Sequence, residues 1–417
     1  MREMKNSGVA WIGAIPQDWG IVKFKYLHRG LNTGEAIDKE YWETDDAPTV
    51  FYTAGLTPIK TSYSSFPIWK ETGENDLLLA RNGTPYVYLP VSNAYYTDHI
   101  IRAAMSGRIN RKFVYYCLQQ SIASVTVDSV SIPTWSATLW NNQILPCPST
   151  SEQHRIATFL DAKCAEIDTV LEKTRASIEE YKKLKQAVIT QAVTKGVRGD
   201  RPMKDSGIEW IGDIPAEWEI RKIFRAINKA GDIDHYMPDS VDDGIPYLMT
   251  GDLQEKLSDV DLKSCKKVSF QDYEILSTKI KVNKGDVIFA RYATIGTVCL
   301  VDTEDNILVS YACLIIKPNL SLLCGEFLFY YLKSTAFLEE IKQYIKANTQ
   351  ANVGLDSVTK AKIALPSVQE QQEIVDYLRD KCKKIDELIA KKQQYLTEIE
   401  NYKKSLIYEY VTGKREV

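Results

Sequence analysis

The chain has 417 residues, 44% hydrophobic and 26% charged, with a formal net charge of −3, which is enough length for two or more domains with separate cores and an ordinary globular composition. That charge argues against a protein that coats nucleic acid regardless of sequence, although it leaves room for local basic patches. No apolar run approaches the ~18 residues of a membrane span and no N-terminal stretch is laid out as a signal peptide, so a cytosolic protein is expected.

The 8 cysteines form no C-x-x-C and no Cys/His cluster with metal-ligand spacing. In a cytosolic chain of this size they are expected to be reduced and mostly buried, with neither a disulfide nor a structural zinc.

The first element along the chain is a clip of Trp, Gly, Ile and Pro. It reads SGVAWIGAIPQDW from Ser7 and returns as SGIEWIGDIPAEW from Ser206, 199 residues later. Such a repeat organises the reading of everything between its copies.

Residues 20–144 come next, with short β-type runs such as NDLLLA, many turns and a late helix-like stretch, RKFVYYCLQQ. Residues 219–364 repeat that plan with GDVIFA and GEFLFYYLKS. Both contain Asp-x-x-x-Ala-Arg-x-x-Thr, as Asp76, Ala80, Arg81 and Thr84 and as Asp286, Ala290, Arg291 and Thr294. The two inserts are therefore distant copies of one α/β fold. Around them lie aperiodic polar and aromatic stretches: KTSYSSFPIW from Lys60, RNGTPYVY from Arg81, RYATIGT from Arg291 and KANTQANVG from Lys346. Arg, Asn, Gln, Thr and Lys on loops can read base edges, and Lys and Tyr can hold phosphates. Composition alone favours ordinary solvated loops.

After each insert the chain becomes regular. PSTSEQHRIATFLDAKCAEID from Pro148 matches PSVQEQQEIVDYLRDKCKKID from Pro366, and this register runs without a gap to Val193-Thr194 and Val411-Thr412. Leu160, Cys164, Ile167, Leu171, Thr174, Ile178, Tyr181, Lys185, Val188 and Ala192 step alternately by 4 and 3, as a heptad seam does. Leu378 to Tyr410 repeat the pattern. A Pro, a Ser and then Glu-Gln mark each start (Pro148, Ser151, Glu152; Pro366, Ser367, Glu370), and Gly196 and Gly413 mark the stops. A helix of about 42 residues is roughly 60 Å long, and its one-sided stripe needs a partner. The other copy is the obvious one, packed antiparallel about a pseudo-twofold axis. Cys164 and Cys382 read as small core residues, and the pairs Thr174 with Lys392 and Lys185 with Lys403 as polar positions that set register or face a partner protein, register being favoured.

Enzyme signatures are few. No Gly-x-Gly and no G-x-x-x-x-G-K-[ST] occurs, which removes nucleotide loops of those types. His28, His99, His154 and His235 form no metal pair or triad order. Pro238-Asp239 followed by Asp261-Leu262-Lys263 loosely fits a nuclease pattern in which carboxylates bind Mg²⁺ and Lys aids the attacking water. The first insert lacks an equivalent.

The WIGxIPxxW clip ahead of each insert, the LPCPSTSEQ and LPSVQEQ exits, the long helices and the TQAVTKG ending together resemble the specificity subunit of a type I restriction-modification system. The resemblance spans the chain and rests on the order of the motifs in duplicate. It implies an α+β protein: two copies of a mixed α/β target-recognition domain held apart by two long antiparallel coiled-coil helices, in a pseudo-twofold internal repeat. The expected segments are 1–147 (clip and first target-recognition domain), 148–196 (first long helix), 197–365 (linker, second clip and second domain) and 366–417 (second long helix and tail).

The resemblance further implies a non-catalytic subunit reading a bipartite, asymmetric site on double-stranded DNA. It would direct two methyltransferase subunits and the restriction/translocase subunits, with S-adenosylmethionine, ATP and Mg only in those partners. The family's motif does not fix the contacting residues. Side-chain chemistry and loop position select Lys60, Thr61, Tyr63, Arg81 and Asn82 in the first domain and Arg291, Tyr292, Lys346, Asn348 and Gln350 in the second. Arg81 and Arg291 could instead be structural, paired with Asp76 and Asp286. The competing functions are a self-contained Mg-dependent nuclease and a protein-only coiled-coil scaffold. The termini are expected to lie close together, with Trp11, Ile15 and Trp19 near the end of the second helix as Trp210, Ile214 and Trp218 lie near the end of the first.

Overall fold

The two heptad stripes become two long helices, Thr150–Lys195 and Val368–Val411, of 46 and 44 residues. Each is somewhat longer than the stripe alone suggests, because the Glu-Gln turn at its start is already helical. The computed structural model describes residues 2–43, 47–82, 85–123, 134–344 and 352–417. Among them no helix is long and apolar enough to cross a membrane.

Serine side chains cap both helices, since the hydroxyls of Ser149 and Ser367 accept the N–H groups of Glu152 and Glu370, each at 3.3 Å. The first cap is thus Ser149, and Ser151 lies inside the helix. At the far ends Gly196 and Gly413 take φ values of +76° and +70°, the left-handed conformation that ends a helix without a Cβ penalty.

The chain forms two compact units, Met1–Arg175 with Gln394–Val417, and Ala176–Gln393. In the first, the clip strands Met4–Asn6 and Ala14–Pro16 pair antiparallel. The strand Gly20–Lys23 opens the insert and pairs with Ile144–Cys147, which closes it. Between them lie two four-stranded sheets. One has the order His28–Thr33, Ile100–Met105, Asp76–Ala80, Val87–Tyr88, and the other Tyr95–Tyr96, Thr49–Tyr52, Ile59–Thr61, Trp42–Glu43. The second unit repeats this plan, with Ile227–Gly231, Cys313–Pro318, Val287–Ala290 and Val298–Leu300 as the larger sheet and a smaller three-stranded one.

In both units one strand serves two cores because side chains alternate along it. Leu77 and Leu79 join the core that holds Trp19, Phe113, Trp140, Leu160 and Tyr410, while Leu78 faces Tyr52, Tyr88 and Tyr96. Likewise Val287 and Phe289 pack with Trp218, Phe327 and Ile374, and Ile288 and Ala290 with Leu248 and Ile315. A strand buried on both faces reads as an unbroken apolar run, hence LLLA and VIFA.

The long helices run antiparallel within each unit. In the first, the Phe159 ring lies 4.4 Å from that of Tyr410, and Lys403 binds Asp168 at 2.6 Å and Arg175 binds Glu400 at 2.7 Å. In the second, Lys185 binds Asp386 at 2.8 Å and Lys392 stands over the Tyr181 ring. Lys185 and Lys403 thus occupy equivalent places and make equivalent bridges, in keeping with a register role. Thr174 is buried and donates to the carbonyl of Val170. All eight cysteines are free. Cys164 and Cys382 are buried in the seam, and burial pushes the Cys382 thiol up to about 11.

Each clip packs on a helix end. Ile15 and Trp19 share a core with Tyr410 and Val411, Arg2 pairs with Glu416 at 2.9 Å, and Lys414 donates to the carbonyl of Ile12. Ile214 and Trp218 share theirs with Ile189, Ala192 and Val193.

Candidate nucleic-acid interface

Each doubly buried strand ends at the Ala-Arg pair, and the backbone around that pair is built alike in the two units. Arg81 N–H donates to His99 and its carbonyl accepts from Trp135; Arg291 N–H donates to Ala312 and its carbonyl accepts from Val353. The following residues form isolated bridges, Asn82 with Thr134 and Tyr292 with Asn352. The junction therefore brings together the end of the central strand, the turn between the two sheets and a late segment of the insert.

The side chains at this junction differ. Arg81 is exposed, and the Asn82 amide donates to His99 Nδ1 at 2.8 Å. Arg291 is only 8% exposed; its guanidinium binds Asp232, donates to the Tyr311 carbonyl at 3.1 Å and lies 3.4 Å from His235 Nε2. Burial alone would raise the Asp232 carboxyl, but Lys279 and Arg291 outweigh it and hold it below the usual carboxylate range. The imidazole of His235 stacks on the Tyr311 ring, centroids 4.7 Å apart, and Tyr292 is half-buried under the Arg291 guanidinium.

Neither arginine pairs with the aspartate of its own motif. Asp76 and Asp286 instead cap turns, accepting the N–H of Gly73 and of Asn283, each at 2.8 Å. Their cations come from the facing strand, Arg102 at 3.7 Å from Asp76, and Lys317 beside Asp286. Burial raises the Asp286 carboxyl despite Lys317 and the Asn283 N–H.

The remaining candidates divide. Lys60 is exposed on the strand Ile59–Thr61. Thr61 is fully buried on a strand that is paired on both sides, and its hydroxyl accepts the Tyr63 N–H at 3.0 Å; it is a structural residue, not a contact. Tyr63 is half-buried, edge-on to Tyr41 and Phe66. Thr84, Lys346, Asn348 and Gln350 lie outside the described residues. The sequence reading missed His99, Asp232, His235, Lys279 and Tyr311. The run GDIDHY from Gly231, a His beside two carboxylates, was the available signal for two of them. Asp261 spends its carboxylate on the N–H of Lys263, and among the described residues no group of His, Cys, Asp or Glu is placed to hold a metal ion.

The fold has a solved counterpart. A solved chain from a study of complex assembly and conformational transition of the type I R-M system superposes with a TM-score of 0.66 at 14% identity, over 96% of this chain and 99% of its own. Relatives in sequence are type I restriction enzyme specificity subunits. The Type I restriction enzyme EcoBI specificity subunit of Escherichia coli is 23% identical over 316 residues, 74% of this chain and 66% of its own length. The Type I restriction enzyme MjaVIII specificity subunit of Methanocaldococcus jannaschii is 24% identical over 97% of this chain and 94% of its own. Residues 215–400 match the family described as Type I restriction modification DNA specificity domain. The chain is similar in sequence to type I restriction enzyme specificity subunits, and its second unit carries the family's domain.

Proposed function

We propose that this chain is the non-catalytic recognition subunit of a type I restriction-modification complex, and that each unit reads one half of a bipartite, asymmetric site on double-stranded DNA. The observation that carries this reading is the strand-end junction: one backbone plan twice, with Arg81, Asn82 and His99 in one copy and Arg291, Tyr292, His235 and Tyr311 in the other. A palindromic site would need two like surfaces, and unlike surfaces on like scaffolds suit two different half-sites. Lys60, Tyr63, Arg81, Asn82 and Tyr292 remain our DNA-facing candidates, joined by His99 and His235. Two methyltransferase subunits and the restriction/translocase subunits supply the chemistry, with S-adenosylmethionine, ATP and Mg bound there.

Mapping methylated bases in a host carrying the system tests this reading. One bipartite sequence is expected, and exchange of residues 20–144 is expected to change one half-site alone. Change in both halves, or Mg-dependent cleavage by the purified chain alone, would overturn it.

A further inference from the structure

Immediately after each clip the chain carries a cationic stretch that the base-reading junction does not use. Residues 20–34 contain Lys23, Lys25 and Arg29 and no Asp or Glu; residues 220–231 contain Arg221, Lys222, Arg225 and Lys229 and again none. At the clip's offset the first stretch corresponds to residues 219–233, which add Glu219 and Asp232 at the two ends, so the acid-free parts overlap rather than coincide; in a chain whose net charge is −3, two cationic stretches at matched positions call for a cause.

The structure shows which side chains are spent on packing. At the clip's offset of 199 residues, Phe24 corresponds to Ile223 and Leu27 to Ala226, all buried. The two positions between them are exposed and hold Lys25-Tyr26 in one copy and Phe224-Arg225 in the other, so cation and aromatic have exchanged places. The arrangement survives the exchange. Lys25 Nζ stands 4.7 Å from the centre of the Tyr26 ring, and the Arg225 guanidinium 5.7 Å from that of Phe224. Tyr26 is 69% exposed and Phe224 46%, so neither ring is held by the core. Lys23 and Lys222 flank the pairs at matched positions. In the second unit Lys362, from the closing strand, joins Lys222, Phe224 and Arg225 around an open cleft of about 930 Å³. Among the described residues Lys23, Lys25, Lys222, Arg225 and Lys362 enter no ion pair, whereas Arg221 is bound by Glu219.

We propose that the base of each insert, where its opening and closing strands meet the clip, carries a sequence-independent grip on the DNA backbone, formed by Lys23, Lys25 and Tyr26 in the first and by Lys222, Phe224, Arg225 and Lys362 in the second. An exposed aromatic face beside unpaired cations fits the alternation of apolar deoxyribose and anionic phosphate. Phosphate contacts fix position and orientation without reading sequence, so they suit the base of each insert, where the two units match, and base contacts suit the parts of the inserts that differ. The grip rests on the DNA-reading function proposed above.

The test uses the chain assembled with its methyltransferase subunits and compares wild type with K23Q/K25Q/K222Q/R225Q, all exposed positions, with thermal melting as the folding control. Anisotropy is read over a salt series with a labelled duplex of roughly 40 base pairs, one form bearing the methylated host site and one lacking it. The slope of log affinity against log salt is expected to fall by about 0.9 for each phosphate contact removed, with the same fold-loss on both duplexes. An unchanged slope overturns the grip. If that result comes with loss of methyltransferase on size exclusion, the surface docks protein instead. Failure of the underlying reading is separate and visible in the wild type, which would then bind both duplexes equally.

Discussion

The indole N–H of Trp19 donates to the Glu152 carboxylate at 2.9 Å, joining the clip to the first turn of the first long helix, and Trp218 meets Glu370 in the same way at 3.1 Å. The other oxygen of each glutamate takes an arginine from the residues ahead of its clip, Arg2 and Arg201. The next residue completes the joint. Gln153 accepts the Asn110 N–H, as Gln371 accepts that of Cys324, so Glu-Gln ties clip, insert and helix together.

Glu370 is 2% exposed and Arg201 10% in their side chains, against 10% and 30% for Glu152 and Arg2. Glu370→Ala leaves a buried guanidinium and indole N–H short of an acceptor and is expected to cost about 3 kcal/mol, with Arg201 keeping Glu217 and the Lys195 carbonyl. Glu152→Ala is expected to cost about 1–2 kcal/mol, and Trp218→Phe about 1 kcal/mol. Urea denaturation followed by tryptophan fluorescence ranks the three, and a reversed order for the glutamates would refute burial as the deciding factor.

Gly413 and Gly8 have nearly the same φ, +70° and +72°. A Cβ at Gly413 would stand 2.5 Å from Pro16 Cδ and 3.0 Å from the Trp19 ring, whereas one at Gly8 meets nothing within 4 Å. Both alanine variants bear a left-handed penalty of about 1–2 kcal/mol. Gly413→Ala adds roughly 1–3 kcal/mol of overpacking. Its melting temperature is expected to fall well below that of Gly8→Ala.

In the second unit Glu255 binds Lys333, and Lys185 at 3.1 Å. Burial pushes its carboxyl up, but the two ammonium groups prevail and leave it below the ordinary 4.5. A depressed carboxyl stabilises the fold in full above the unfolded value and loses that contribution as pH falls through the folded one. Melting temperature is therefore expected to drop on acidification below about pH 4.5, and Glu255→Gln to flatten that limb. An unaltered acid limb in the variant would assign the loss to other carboxylates.

Arg81 and Arg291 hold one motif position and are expected to respond oppositely. Arg81→Ala removes an exposed side chain, so stability should stay within about 0.5 kcal/mol while discrimination in one half-site weakens by about 1–3 kcal/mol. Arg291→Ala strips Asp232 of its buried partner and is expected to destabilise by about 2–4 kcal/mol. Thermal melting paired with methylated-base mapping separates the two, and equal destabilisation would contradict the exposure difference.

The repeat, both long helices and their seams were legible because heptad spacing and matched motifs are local signals. Lys185 and Lys403 could be read as a matched pair from spacing alone. Burial within the inserts was harder to see. Thr61 looked like a loop residue because its strand, Ile59–Thr61, is too short to display alternation, and its pairing on both sides is with strands distant from any periodic pattern. The Asp–Arg pairing was open to a check from parity. Arg81 stands five positions after Asp76, and an odd step along a strand puts side chains on opposite faces. The partner of Arg291, Asp232, is 59 residues away and carries no periodic mark.

The first unit draws on residues 1–175 and 394–417, whereas the second is one unbroken stretch, 176–393. During synthesis the second can therefore complete its core while the first still lacks Leu406, Ile407, Tyr410 and Val411, which cover Trp19 and Leu160. Contacts closed over so long a loop form late. The order of assembly thus runs against the order of translation: the unit begun first is finished last, and a ribosome stalled short of residue 394 would release a chain with one finished unit and one open apolar face.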